Sequence, residues 1–174
     1  GCENPIFVPQ IELYAPQKKV LGRWEHQKEF PANRAVAFMQ DVIRRNPVEI
    51  TLVCIAPLTN VGLLFAMDPE IASLLKRIVL MCGSPTYTRY DNTGETMSAM
   101  EKSDVIVLGS KGVIENNALI DPHATKIVYG ADVREHITCG LNVTSQLIMK
   151  PEEAEGLFRH PILEPVLDLS LIHI

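Results

Sequence analysis

An acid and two amides stand in a row at Glu115, Asn116 and Asn117, inside the segment IENNALIDP (Ile114 to Pro122). A carboxylate accepts hydrogen bonds and a primary amide both donates and accepts, so together they offer what the vicinal hydroxyls of a sugar require. The same residues also fit a polar loop leading to Asp121, the cap of a following helix. Three turns are a second kind of candidate. Ile55 to Asn60, Met81 to Pro85 and Leu141 to Thr144 each close an apolar run with small or polar residues. In an open parallel sheet ligands bind beyond the carboxyl ends of the strands, which makes these turns the places to look, although ordinary strand-to-helix turns share the pattern.

Other chemistries find little support. His26, His123, His136, His160 and His173 have no HxxxH or HxH spacing, and Cys2, Cys54, Cys82 and Cys139 no metal-type spacing. Cys54, Cys82 and Cys139 lie inside or at the end of apolar runs, where a thiol behaves as a small hydrophobe; buried thiols fit a reducing, cytoplasmic setting. GxGxxG, GxxxxGKS/T and GxSxG do not occur. A net charge of −5, a pI of about 5.5 and basic residues clustered only as dipeptides argue against a nucleic-acid surface. No apolar run approaches the about 18 residues of a membrane span.

The elements that must position these groups follow from periodicity. The 174 residues, 47% hydrophobic and 21% charged, suffice for a domain with its own core. Pro31 to Pro47 predicts a helix with Ala35, Phe38, Met39, Val42 and Ile43 as its apolar stripe. Glu49 to Ile55 is nearly continuous and apolar, predicting a strand covered on both faces. Asn60 to Met67 predicts a helix; Asp68-Pro69 starts another with Asp68 as cap, and Ile78 to Cys82 is a second buried strand. Tyr87 to Asp104 reads as a long loop and Val105 to Leu108 as a short strand. Asp121-Pro122 repeats the helix start, Gly130 ends that helix, His136 to Val143 is a third buried strand, and Pro151 to Arg159 a short helix. Strands alternating with helices predict an α/β fold, a mostly parallel sheet with helices on both faces.

Read in order, these segments resemble the inosine/uridine-preferring nucleoside hydrolase family, from about Ala32 to Gln146. CIAPLTN (Cys54 to Asn60) is similar to the family's GPLTN turn, MDPE to its DPE helix, MCG to its MGG strand end, ENNALIDP to its ExN…DP segment, and GLNVT to its GLDVT strand. The resemblance implies a calcium-dependent hydrolase that splits the N-glycosidic bond of a ribonucleoside into ribose and free base. It implies that the Ile55 carbonyl ligates the metal, that Met81 lines the sugar pocket, and that Glu115 and Asn117 grip ribose hydroxyls. A nucleoside is the implied partner, with no nucleic acid and no membrane, and a homo-oligomer is compatible with it.

This chain departs from the family pattern at Ala56, Cys82, Asn116 and Asn142; Ala56, Cys82 and Asn142 suggest a different N-glycoside as one alternative, and a non-catalytic ribose-binding or interaction protein on the same fold is another. The family's DxDxGxDD cluster and its later His-Asp pair have no counterpart, so no catalytic acid or base is assigned to a residue here. Residues 1–168 are accordingly expected to be part of a nucleoside hydrolase-like domain, inactive alone. The terminal LSLIHI (169–174) is expected to be a non-native tail.

Overall fold

The central sheet is built from short apolar segments separated by helices. The computed structural model describes residues 2, 4–7, 22–31, 33–84, 106–107 and 113–166. Its strands are β1 (Thr51–Cys54), β2 (Arg77–Met81), β3 (Ile106–Val107), β4 (Val113–Ile114) and β5 (His136–Cys139). β1, β2 and β5 form a parallel sheet in that order, and β3 and β4 form a separate antiparallel pair. Register places Cys54 opposite Leu80 and Met81 opposite Cys139. The helices are α1 (Ala35–Arg45), α2 (Thr59–Met67), a 3-10 helix (Pro69–Leu74), α3 (Asn116–Ile120), α4 (Pro122–Tyr129), α5 (Leu141–Thr144) and α6 (Pro151–Leu157).

β2 shows the side-chain alternation that a pleated strand imposes. Ile78 and Leu80 are fully buried, while Val79 and Met81 on the other face are half-buried. The first pair joins Ile43 of α1, Val61, Leu64 and Phe65 of α2, Ile71 of the 3-10 helix, and Ala124 and Val128 of α4 in one hydrophobic cluster. α2 is apolar nearly all round, and a helix of that kind forms only where neighbours cover it; Thr59, Val61, Gly62, Leu64 and Phe65 are all buried. The chain divides into two compact units, Gly1–Ile11 with Ala32–Gln146, and Glu12–Pro31 with Leu147–Ile174. In the second, α6 starts on Pro151, and the Lys150 N–H donates to the Glu153 carboxylate at 3.2 Å.

The α/β class with a parallel sheet is as expected, but several elements differ in detail. β1 is not covered on both faces: Val53 is 61% exposed, because among the described residues only the Leu52 and Cys54 side of this strand meets the core. Phe38 does not belong to the buried stripe of α1, of which Ile43 alone is fully enclosed. Asp68 stands at the N-cap position before Pro69 as expected, but its side chain makes no capping bond. Its carboxylate instead accepts from Gln40 Nε2 at 2.8 Å and from Arg44 Nε and Nη2 at 2.9 and 2.7 Å, and Pro69–Leu74 winds as a 3-10 helix. These bonds, Gln40's first, hold the Asp68 carboxyl below the usual carboxylate range. The run HITCGLNV is not one strand: β5 stops at Cys139, and α5 begins after Gly140. Tyr87 to Asp104 and the 169–174 tail lie outside the described residues.

Candidate functional site

Parallel strands in register put their carboxyl ends at one edge of the sheet. Ile55 directly follows Cys54, the partner of Leu80, at the carboxyl end of β1, and Met81 at the end of β2 faces Cys139. Ile55 is 77% exposed at this edge. Beyond it, Pro57 and Leu58 lead into α2, where the Asn60 side-chain oxygen accepts from the Cys2 N–H at 2.9 Å.

Glu115 and Asn117 arrive at the same edge because Glu115 caps α3. Its carboxylate accepts from the Asn117 N–H at 2.7 Å and from the Ala118 N–H at 3.0 Å, satisfying two donors that a helix start leaves open. One of its oxygens also accepts from the Gly83 N–H at 2.9 Å, across 32 residues of chain. With its backbone held this way, Asn117 donates from Nδ2 to the Met81 carbonyl at 2.8 Å and reaches the Met81 sulfur at 3.3 Å. Asn117 thus links Met81 and Glu115, touching each of them, with Ile55 at the end of the neighbouring strand. Asn116 is the first residue of α3 and takes no part in these bonds.

Cys82 lies directly behind this cluster and is fully buried. Burial first, and the Glu115 carboxylate second, push its thiol up to about 11; burial and then Cys82 do the same to Cys54. At pH 7.5 so little thiolate remains that alkylation should be slower by two to three powers of ten than for an ordinary cysteine, about 8.5 in pKa. In a mass-spectrometric time course with iodoacetamide, the half-buried Cys2 and Cys139 should therefore label first. Labelling of Cys82 in step with Cys139 in the folded protein would contradict the enclosure described here.

Two site-supporting residues escaped the sequence reading. Tyr129, at the end of α4, donates its hydroxyl proton to the Cys82 carbonyl at 3.1 Å, and Thr138 of β5 donates to the Tyr129 oxygen at 3.2 Å. Neither has a local sequence signal, since each acts across a fold contact.

The profile of the inosine-uridine preferring nucleoside hydrolases matches residues 1–168. The chain belongs to this family. Among curated relatives of this nucleoside hydrolase-family chain, the non-specific ribonucleoside hydrolase RihC of Salmonella typhimurium is 31% identical over 128 residues, 74% of this chain and 35% of the relative. The chain therefore spans about a third (35%) of the length of the curated relatives it matches. A purine-preferring ribonucleoside hydrolase from Gardnerella vaginalis superposes with a TM-score of 0.67 at 20% identity, over 98% of this chain and 51% of that one. An inosine-uridine preferring nucleoside hydrolase from Bacillus anthracis gives 0.58 at 21% identity, over 82% and 43%. At such identities these structures establish the shared fold.

Proposed function

We propose that the whole protein hydrolyses the N-glycosidic bond of ribonucleosides to ribose and free base, and that this chain supplies part of the sugar side of the site. The observation that carries this reading is the contact of the Asn117 amide with Met81 at the carboxyl end of β2, beside Glu115 and Ile55, in a chain of this family. Asn117 keeps its amide oxygen as an acceptor for a sugar hydroxyl, and Met81 gives the ribose face an apolar, polarisable contact. Three backbone N–H groups occupy part of the Glu115 carboxylate, which retains acceptor capacity for one hydroxyl.

The family reading also assigns calcium, with the Ile55 carbonyl as a ligand. Calcium takes about 6–8 oxygen ligands. Among the described residues there is no group of three or more His, Cys, Asp or Glu able to hold a metal ion. A lone carbonyl does not meet that demand, so the described residues do not fit calcium by themselves, and no step is assigned to it. No residue of this chain is assigned as general acid or base.

The test is release of base from inosine and uridine, followed chromatographically with and without calcium. This chain alone should release none. The whole protein, reading in the expected aspartate cluster, should release base, and Asn117→Ala or Met81→Ala should raise its KM by about tenfold or more, the factor attached to a lost hydrogen bond or buried contact. Unimpaired turnover by Asn117→Ala would remove that residue from the sugar side. A second reading, a ribose-binding protein without catalysis, is favoured by the structural use of the Glu115 carboxylate; ribose binding by the whole protein without base release would select it.

A further inference from the structure

The ladder of β2 ends at Met81, yet the carbonyls of Met81, Cys82 and Gly83 are each bonded by groups from other elements. The Met81 carbonyl accepts from Asn117 Nδ2 at 2.8 Å, and the Gly83 carbonyl from the Leu141 N–H at 2.9 Å. Between them lies the Cys82–Gly83 peptide. Its carbonyl accepts from the Tyr129 hydroxyl at 3.1 Å, and its N–H donates to the Glu115 carboxylate at 2.9 Å. A trans peptide is one rigid plane whose C=O and N–H point in opposite directions. Two clamps on opposite edges therefore fix its rotation about the chain axis, whereas either alone leaves it free to rock. At Gly83 the backbone then turns through φ +75°, where only glycine passes without strain.

The Tyr129 clamp is directional. A hydroxyl carries one proton, and the Tyr129 oxygen already accepts from Thr138 at 3.2 Å, so its own proton is left for the Cys82 carbonyl. Burial raises the phenol further above its ordinary value, which keeps that proton in place at neutral pH. The ring is steadied against His136, with centroids 5.0 Å apart.

We propose that Tyr129 is a positioning residue for the sugar site: by holding the Cys82 carbonyl it sets the Cys82–Gly83 peptide that orients Glu115, and through Glu115 it orients Asn117. The consequence for substrate rests on the nucleoside reading above; the clamp itself does not.

Hydrogen exchange by NMR in the whole protein, compared with inosine hydrolysis, separates the two. Tyr129→Phe should speed exchange of the Gly83 amide by about tenfold, the factor that one hydrogen bond supplies, while Val79 and Leu80 in the middle of β2 keep their rates. Thr138→Val, which leaves the hydroxyl but frees its proton to turn away, should give a smaller change in the same direction. Tyr129→Phe should also raise KM for inosine severalfold with kcat much less affected. Unchanged Gly83 exchange, or a change shared equally by Val79 and Leu80, overturns the positioning role, even with inosine hydrolysed normally. A loosened Gly83 in a protein that never hydrolyses inosine overturns the nucleoside reading and upholds the clamp.

Discussion

Replacing Asp121 by alanine should lower the free energy of unfolding by about 3 kcal/mol, from the loss of a helix cap and the stranding of buried donors. Asp121 is fully buried and joins three separate stretches of chain. One oxygen caps α4 through the Ala124 N–H at 2.9 Å. The other accepts from the Thr59 hydroxyl at 2.6 Å, 62 residues away, and from the Ile6 N–H at 2.8 Å, 115 residues away. The cap alone accounts for about 1 kcal/mol. Leaving the buried Thr59 hydroxyl without an acceptor adds about 1–3 kcal/mol, and the half-buried Ile6 N–H adds less because water can reach it. Asp121→Ser should separate these contributions, since a serine can still cap but is too short to bridge; it should recover about 1 kcal/mol relative to alanine. Urea unfolding of the three proteins checks the order. A midpoint for Asp121→Ala no lower than that of a change at the exposed Glu49 would show that the three-way junction contributes nothing.

Asp121 also marks how far the sequence carries. Its role as a helix cap is legible, because Asp-Pro before an apolar run has one local meaning, and the structure bears it out. The same dipeptide at Asp68-Pro69 also starts a helix, a 3-10 one, but the side chain there does not cap it. There Gln40 and Arg44, on a helix more than twenty residues upstream, offer the carboxylate charged and neutral donors that compete with the local backbone. The order of parallel strands follows from alternation of strand and helix patterns. The exposure of Val53 does not, since an apolar run says nothing about whether anything covers the sheet face that Val53 shares with Val79 and Ile137. At the candidate site, Glu115, Asn117 and Met81 stand out by type and by family resemblance, and the structure joins them within hydrogen-bonding distance. What the sequence does not show is how they are held. The Tyr129, Thr138 and Leu141 contacts all pair groups from different elements, and a residue's partner across the fold leaves no mark on its neighbours in sequence.

The position where local reasoning and packing disagree in sign is Gly62, at the end of the first turn of α2. Helix propensity alone says that Gly62→Ala stabilises, by about 1 kcal/mol. The packing says the reverse. A Cβ added at Gly62 would stand 2.7 Å from both the Cα and the Cβ of Ala124 and 3.3 Å from its carbonyl oxygen. None of these atoms can swing aside: two are main chain and the third is a methyl carbon with no rotamer to change. α2 and α4 would have to part, at the first turns of the two helices that the Thr59–Asp121 bond ties together. Overpacking of this kind costs about 1–3 kcal/mol, and more where backbone must move. With the clash at main chain and a buried hydrogen bond strained beside it, the upper end applies. After the gain in propensity, a net loss of about 2 kcal/mol is expected. Adding Ala124→Gly should restore only part of it, because the Ala124 Cα remains in the way. A Gly62→Ala protein as stable as the parent to urea would mean that the two helices adjust freely, and that α2 and α4 are not locked together at Thr59 and Asp121.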